Sequence, residues 1–159
     1  MAVFFDVSEI FQFAIRIEEN GESFYRKVAE KSSEKEVNDL FTFLADEEAR
    51  HKKIFEDMVG RIANYEPSET YPGEYFQYLK SYADTLVFPP EIERELETAG
   101  GVVKALDFGI RRELDSIMYY LETKDIVPET QHKIMDKIID EERSHFVRLS
   151  KMKERFAKE

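Results

Sequence analysis

The sequence predicts an all-α fold, a four-helix bundle of two helical hairpins joined by a long crossover. Four long segments carry apolar residues at steps of three and four, the spacing of one buried helix face. Only 6 Gly and 5 Pro occur among 159 residues, so few breaks interrupt these segments. Charged residues make up 36% of the chain, which suits long helices with solvated outer faces. We expect a single domain over residues 1–159.

The first hairpin is expected to consist of a helix over about Val7–Lys31 and a second over about Glu34–Asn64. Asp6 can cap the first helix, and Glu9 completes a capping box. Ser33 is the expected cap of the second helix. The connection between the two helices is short, so they should be antiparallel neighbours.

The second hairpin is expected to pair a helix over about Gly101–Lys124 with a helix that starts near Pro128 and runs almost to the last residue. A long, proline-containing crossover links the two hairpins. Within it we expect short helices around Glu74–Thr85 and Glu91–Thr98.

The two hairpins resemble each other in sequence. The first reads AIRIEENGESFY and then LADEEARHKKIF, and the second reads GIRRELDSIMYY and then IIDEERSHFVRL. Four pairs of residues correspond: Glu18 with Glu113, Tyr25 with Tyr120, Glu48 with Glu142, and His51 with His145. A repeat of this kind implies a pseudo-two-fold site between the hairpins.

Each of the four long predicted helices carries a glutamate in the middle of its apolar stripe, and two of them add a histidine three residues later. Burying one unpaired charge costs several kcal/mol, and we expect no Lys or Arg near these acids. Two divalent cations would supply the missing positive charge. The predicted metal ligands are Glu18, Glu48, His51, Glu113, Glu142 and His145.

The spacing of these residues suits a pair of metal ions. Residues three apart share a helix face, so the glutamate and histidine of each Glu-x-x-His can reach one metal. One Glu from each of two helices plus Glu-x-x-His from each of the other two is a pattern of two-metal carboxylate sites. Mixed carboxylate and imidazole ligands suit iron or manganese more than calcium or magnesium, and zinc could bind the same groups. Two iron ions are the expected cofactor, with manganese or zinc as alternatives.

The segments AIRIEENGESFY and DEEARH resemble the first two helices of the rubrerythrin branch of the ferritin-like superfamily, and the resemblance extends over nearly the whole chain. It implies a ferritin-like bundle and a role for each ligand. Glu18 and His51 would bind one metal, Glu113 and His145 the other, and Glu48 and Glu142 would bridge them.

The resemblance also implies residues that support the ligands. Tyr25 and Tyr120 would donate hydrogen bonds to the site. Glu47 and Glu141 precede the bridging acids and either orient the histidines or are solvated surface acids, and the sequence leaves both interpretations open.

Two departures from rubrerythrins bear on function. The chain has no cysteine, so it lacks the rubredoxin domain that delivers electrons in many of them. Electrons would then come from a separate donor protein or from ferrous iron. Rubrerythrins also carry an extra carboxylate three residues after the third-helix ligand, where this chain has Ser116.

Three functions follow as expectations. The resemblance implies an oxidoreductase that reduces hydrogen peroxide or dioxygen with electrons from an external donor. A ferroxidase or iron-handling protein is the alternative, because bacterioferritin-type ligand sets lack the extra acid. A metal-stapled helical scaffold without catalytic activity is a third hypothesis.

The composition argues against two classes of binding partner. The net charge of −11 argues against nucleic acid and against anionic membrane surfaces. The N-terminus lacks a basic segment, so a cytoplasmic location is expected, and a homodimer is the expected assembly.

His132 is interpreted as a surface residue. For the crossover aromatics we favour packing or a dimer contact over a radical path; they are Tyr71, Tyr75, Phe76, Tyr78, Tyr82 and Phe88.

Overall fold

Five α-helices make up most of the part of the chain that the computed structural model describes, which is residues 7–62, 73–85, 94 and 101–158. Within these residues there is no strand, and the predicted all-α fold class is confirmed. The helices are α1 (Val7–Lys31), α2 (Lys35–Ile62), α3 (Gly73–Thr85), α4 (Gly101–Lys124) and α5 (His132–Ala157).

The helix boundaries agree with the sequence pattern, with small differences at the ends. The backbone N–H of Glu34 meets the hydroxyl of Ser32 at 3.3 Å, so Ser32 rather than Ser33 contacts the start of α2. A 3₁₀ turn, Glu129–Gln131, follows Pro128, so α5 begins later than predicted. The predicted cap Asp6 and nearly all of the predicted helix at 91–98 lie outside the described residues.

The helices pair as the two predicted hairpins. α1 packs along α2 and α4 packs along α5, while α3 lies against α1 and α4. None of the described helices is long and apolar enough to cross a membrane. His132, predicted at the surface, is half-buried, and its Nε2 lies 3.1 Å from the carbonyl oxygen of Val127.

Two apolar clusters fill the bundle, one toward each end. One contains Phe11, Phe55 and Tyr120, and the other contains Phe41 and Leu106. Burial of such side chains is the main contribution to stability. The polar residues of the predicted site lie between the two clusters, in the middle of the helices.

The crossover helix α3 turns aromatic residues toward the bundle. The ring of Phe76 lies 6.2 Å from that of Phe13, and Tyr75 and Tyr82 also pack on the first cluster. The predicted packing of crossover aromatics is thus observed for these residues, whereas Tyr71 and Phe88 lie outside the described residues.

Candidate metal centre

The fold buries all six predicted ligands in the middle of the bundle. α1 and α4 each supply one glutamate, and α2 and α5 each supply a glutamate and a histidine. The exposed fraction is 2% for His145 and 0% for the other five residues. The inward stripes of α1 and α2 explain this placement, because the flanking apolar positions of both helices are buried as well.

The six side chains form two overlapping groups. In each group every residue offers one ligand-type atom within 4.8 Å of the others. Both groups contain Glu48 and Glu142, which is the arrangement that two bridged metal ions need. The first group is Glu18, Glu48, His51 and Glu142, and the second is Glu48, Glu113, Glu142 and His145.

The donor atoms of this cluster fit a metal better than they fit one another. Eight buried atoms of the six residues have no partner in hydrogen-bonding geometry. An unsatisfied buried polar atom costs about 1–3 kcal/mol, so such a cluster calls for another occupant. The atoms are Glu18 Oε2, both oxygens of Glu48 and of Glu142, Glu113 Oε2, and the Nδ1 atoms of His51 and His145.

His51 turns one ring nitrogen into the cluster and the other outward. Its Nδ1 lies 2.7 Å from Glu142 Oε1 and 3.5 Å from Glu18 Oε2. Its Nε2 lies 2.8 Å from Glu141 Oε2, a carboxylate of α5. A carboxylate on the outer nitrogen fixes the ring and directs the inner lone pair at a metal.

His145 repeats this arrangement with looser contacts. Its Nδ1 lies 3.5 Å from Glu142 Oε2, and its Nε2 lies 3.8 Å from Glu47 Oε2. Glu47 and Glu141 are partly buried and share Arg50, at 2.7 Å and 2.6 Å. Both acids therefore approach a histidine of the opposite hairpin, which favours the orienting role over that of solvated surface acids.

Two tyrosines connect the hairpins through the terminal glutamates. The hydroxyl of Tyr25 donates to Glu113 Oε1, and that of Tyr120 donates to Glu18 Oε1. Burial raises the pKa of both phenols well above the usual value, and the nearby carboxylates raise it further, so both remain neutral donors. Each hydrogen bond leaves the second carboxylate oxygen turned toward the cluster.

Arg112 corrects the expectation that no cation lies near the acids. Its side chain is 1% exposed, and its Nη2 lies 2.6 Å from Glu48 Oε2. The same nitrogen donates to the carbonyl oxygen of Ile17 at 2.6 Å. A buried acid paired with arginine costs much less than an unpaired one. The arginine therefore offsets one of the four buried carboxylate charges.

Arg112 fits because α1 carries Gly21 at the contact. A Cβ atom on Gly21 would lie 1.8 Å from Arg112 Nη2. In the repeat, the position that matches Arg112 on α1 is Ile17, so the arginine breaks the two-fold symmetry. Sequence reasoning missed it because the residue precedes Glu113 and lies beside the predicted stripe. The small residue at position 21 was the available signal.

Glu113, Glu142 and His145 shift one another's pKa values. Burial and the neighbouring Glu142 raise the pKa of Glu113 to about 8. Burial alone would raise the pKa of Glu142, but the neighbouring Glu113, His51 and His145 hold it well below the usual value. Burial alone would lower the pKa of His145, yet the nearby carboxylates of Glu113 and Glu142 raise it to about 9. Without metal, protons take part of the compensating role.

Two further features border the centre. Ser116, at the position where rubrerythrins carry an extra acid, is fully buried, and its hydroxyl has no partner in hydrogen-bonding geometry. A groove of about 420 Å³ opens between α2 and α5 and reaches Glu141, the acid that contacts His51. Its other lining residues include Met58, Ile138 and Lys137.

Comparisons with known proteins show which family the chain resembles. A family model described as Rubrerythrin matches residues 9–153. A candidate ferritin-like diiron-carboxylate protein from Thermotoga maritima, solved by crystallography, is 32% identical with a TM-score of 0.72. The alignment covers 97% of this chain and 98% of that one. Curated proteins gave no match. The chain belongs to the rubrerythrin family of ferritin-like proteins.

Proposed function

We propose that the protein is an oxidoreductase that holds two iron ions on these six residues and reduces hydrogen peroxide or dioxygen with electrons from an external donor. The eight buried carboxylate and imidazole atoms without hydrogen-bond partners carry this proposal. Carboxylate and imidazole together suit iron, and the two overlapping groups suit two ions. Membership of the rubrerythrin family supports the same assignment.

Each part of the chain has a role in this proposal. Glu18 with His51, and Glu113 with His145, would hold one iron each, with Glu48 and Glu142 shared. The irons would supply the electrons for the reduction when they are bound. Tyr25 and Tyr120 hold the terminal carboxylates in place, and the apolar clusters at both ends keep water away.

The groove beside Glu141 offers a route for the oxidant. It is partly apolar, and it ends next to the residue that orients His51. Hydrogen peroxide and dioxygen are small and uncharged, so neither the acidic surface nor an apolar wall would exclude them.

One observation favours a ferroxidase as the second candidate. Ser116 supplies no carboxylate where rubrerythrins have a further acid. The six-residue ligand set then matches the bacterioferritin type as well as the rubrerythrin type. In that case ferrous iron is both the substrate and the source of electrons.

Metal analysis of protein expressed with added iron is the first test. We expect two metal ions per chain, one for each overlapping group. Glu48→Ala should abolish two-metal binding, because it removes a carboxylate common to both groups. Glu56→Ala, an exposed acid on the same helix, is the matched control and should leave binding unchanged. Retention of both metals by Glu48→Ala would contradict the shared role.

Stopped-flow mixing of the diferrous protein with each oxidant separates the candidates. Fast oxidation by hydrogen peroxide and slow oxidation by dioxygen supports the peroxide reductase, and the reverse order supports the ferroxidase. Inertness of the iron-loaded protein to both oxidants contradicts both candidates and leaves a structural role for the metals.

A further inference from the structure

Four tyrosine rings lie one after another between the metal centre and the surface of the bundle. The centroid of Tyr120, whose hydroxyl contacts Glu18, lies 5.9 Å from that of Tyr119. The ring of Tyr119 is 6.1 Å from that of Tyr82 and nearly parallel to it, at 3°. Tyr82 is in turn 6.1 Å from Tyr78. Tyr120 and Tyr119 are fully buried, whereas Tyr78 is 44% exposed.

Hydrogen bonds hold the two middle rings in place. The hydroxyl of Tyr119 donates to the carbonyl oxygen of Ile10 at 3.1 Å, and that of Tyr82 donates to the carbonyl oxygen of Asp115 at 2.9 Å. The stack therefore links α1, α3 and α4, and its ring spacing is set by the fold.

The other half of the repeat provides an internal comparison. Tyr25 corresponds to Tyr120, but the residue before it is Phe24 where the second half has Tyr119. The rings beside Tyr25 are those of Phe24 and Phe41, at 5.4 Å and 5.5 Å. A phenyl ring packs like a phenol but is much harder to oxidise. The second half of the repeat, which packs against α3, thus has the phenol of Tyr119 beside Tyr120, whereas the first half has the phenyl rings of Phe24 and Phe41 beside Tyr25.

Closely spaced phenols suit the movement of single electrons. The rate of electron tunnelling falls steeply with distance, so rings in near contact act as steps toward a distant oxidant. We infer that Tyr120, Tyr119, Tyr82 and Tyr78 form a path along which oxidising equivalents leave the metal centre for the surface. The inference rests on the proposed reduction of hydrogen peroxide.

The electron balance states when the path operates. Reduction of one hydrogen peroxide to two waters consumes two electrons and two protons. When the donor has supplied a single electron, the second comes from Tyr78 through the three inner rings. Tyr78 loses that electron to the centre and its phenolic proton to water, and becomes a neutral radical. A small thiol then returns one hydrogen atom to it.

A path that ends at Tyr78 protects the metal centre from oxidative damage. Tyr78 is the exposed ring of the four, so a soluble reductant can reach it. An oxidising equivalent that stayed at the centre would instead attack the ligands or the two buried tyrosines.

The test is to trap the radical and locate it. Iron-loaded protein that carries one reducing electron per centre is treated with hydrogen peroxide without further donor and frozen rapidly for electron paramagnetic resonance. A parallel sample contains a nitroso spin trap and is analysed by peptide mass spectrometry. We expect a tyrosyl signal and an adduct on Tyr78 in the wild-type protein, neither of which the metal-free protein should give.

Variants examine the path itself. Tyr82→Phe and Tyr119→Phe each keep a ring in place and remove one phenol, so the adduct on Tyr78 should fall to the metal-free level. Iron oxidation by peroxide should proceed at the wild-type rate. Tyr75→Phe is the matched control on α3, because Tyr75 also stacks on Tyr78, at 6.1 Å, but is not a member of the path, and it should leave the adduct unchanged.

The iron absorbance of the same samples separates the two ways of failing. Iron that peroxide does not oxidise contradicts both the proposed function and this path. Full oxidation of the iron without an adduct on Tyr78 contradicts the path alone, and so does an undiminished adduct in both Tyr82→Phe and Tyr119→Phe.

Discussion

At the scale of single residues, the candidate centre depends on Arg112 and Gly21, and the sequence does not show that these two residues lie in contact. Arg112 brings a buried positive charge to Glu48, and Gly21 leaves the space for it. The clustering of the six predicted ligands was foreseeable from the sequence, because each interrupts an apolar stripe with a polar residue. Arg112 was not, because its burial depends on how closely α1 approaches α4 at one missing side chain.

Gly21→Ala measures the value of that pair. Alanine favours a helix interior over glycine by about 1 kcal/mol. The new Cβ would displace the guanidinium, and breaking a buried ion pair costs about 3–5 kcal/mol. We expect the free energy of unfolding of the metal-free protein to fall by roughly 2–4 kcal/mol, as measured by urea denaturation.

Gly60→Ala is the matched control in α2. Nothing lies within 4 Å of a Cβ atom added there, so only the helix preference acts, and a gain of up to about 1 kcal/mol is expected. Equal stabilisation by both substitutions would show that the contact between Arg112 and Glu48 contributes nothing.

At the scale of helices, the sequence specified which segments pair but not how their side faces meet. The bounds of α1 and α4 agree with the periodicity, because apolar spacing and local signals act within one helix. The stack that joins Tyr82 to Tyr119 was not predictable, because it depends on how α3 lies against α4.

Contacts between α2 and α5 predict unequal halves of the metal centre. Glu141 lies 2.8 Å from His51, whereas Glu47 lies 3.8 Å from His145. Loss of such an orienting carboxylate typically costs about 10–100-fold in metal affinity. We expect Glu141→Ala to lower the affinity for one of the two metal ions by that factor, and Glu47→Ala to lower it less.

Titration with zinc, followed by calorimetry, measures both affinities without oxidation chemistry. Glu56→Ala serves again as the surface control on α2. Equal losses in Glu141→Ala and Glu47→Ala would mean that the shorter contact does not orient His51 more firmly.

At the scale of the whole molecule, protons and metal ions compete for the same buried groups. Protons and Arg112 compensate the acids when metal is absent, and metal ions would replace the protons. The sequence indicated the charge problem through the four stripes. It could not indicate that protons and Arg112 compensate these charges in the metal-free protein, because pKa values depend on the distances between helices in the folded bundle.

This competition predicts opposite pH trends for the metal-free and metal-bound forms. The pKa of Glu113 is raised from 4.5 to about 8, and that of His145 from 6.5 to about 9. A group with a raised pKa stabilises the fold below its unfolded value, and the benefit is lost as the pH rises through the folded value. The Tm of metal-free protein should therefore fall between about pH 4.5 and pH 9.

Zinc affinity should rise over the same interval, because the ligands must lose their protons to bind a metal. Thermal denaturation of the metal-free protein and zinc calorimetry at the same pH values test the two trends together. Glu113→Gln imitates the protonated acid, so it should flatten the fall in Tm. A metal-free Tm that is constant or rises toward pH 9 would show that protons do not stabilise this cluster.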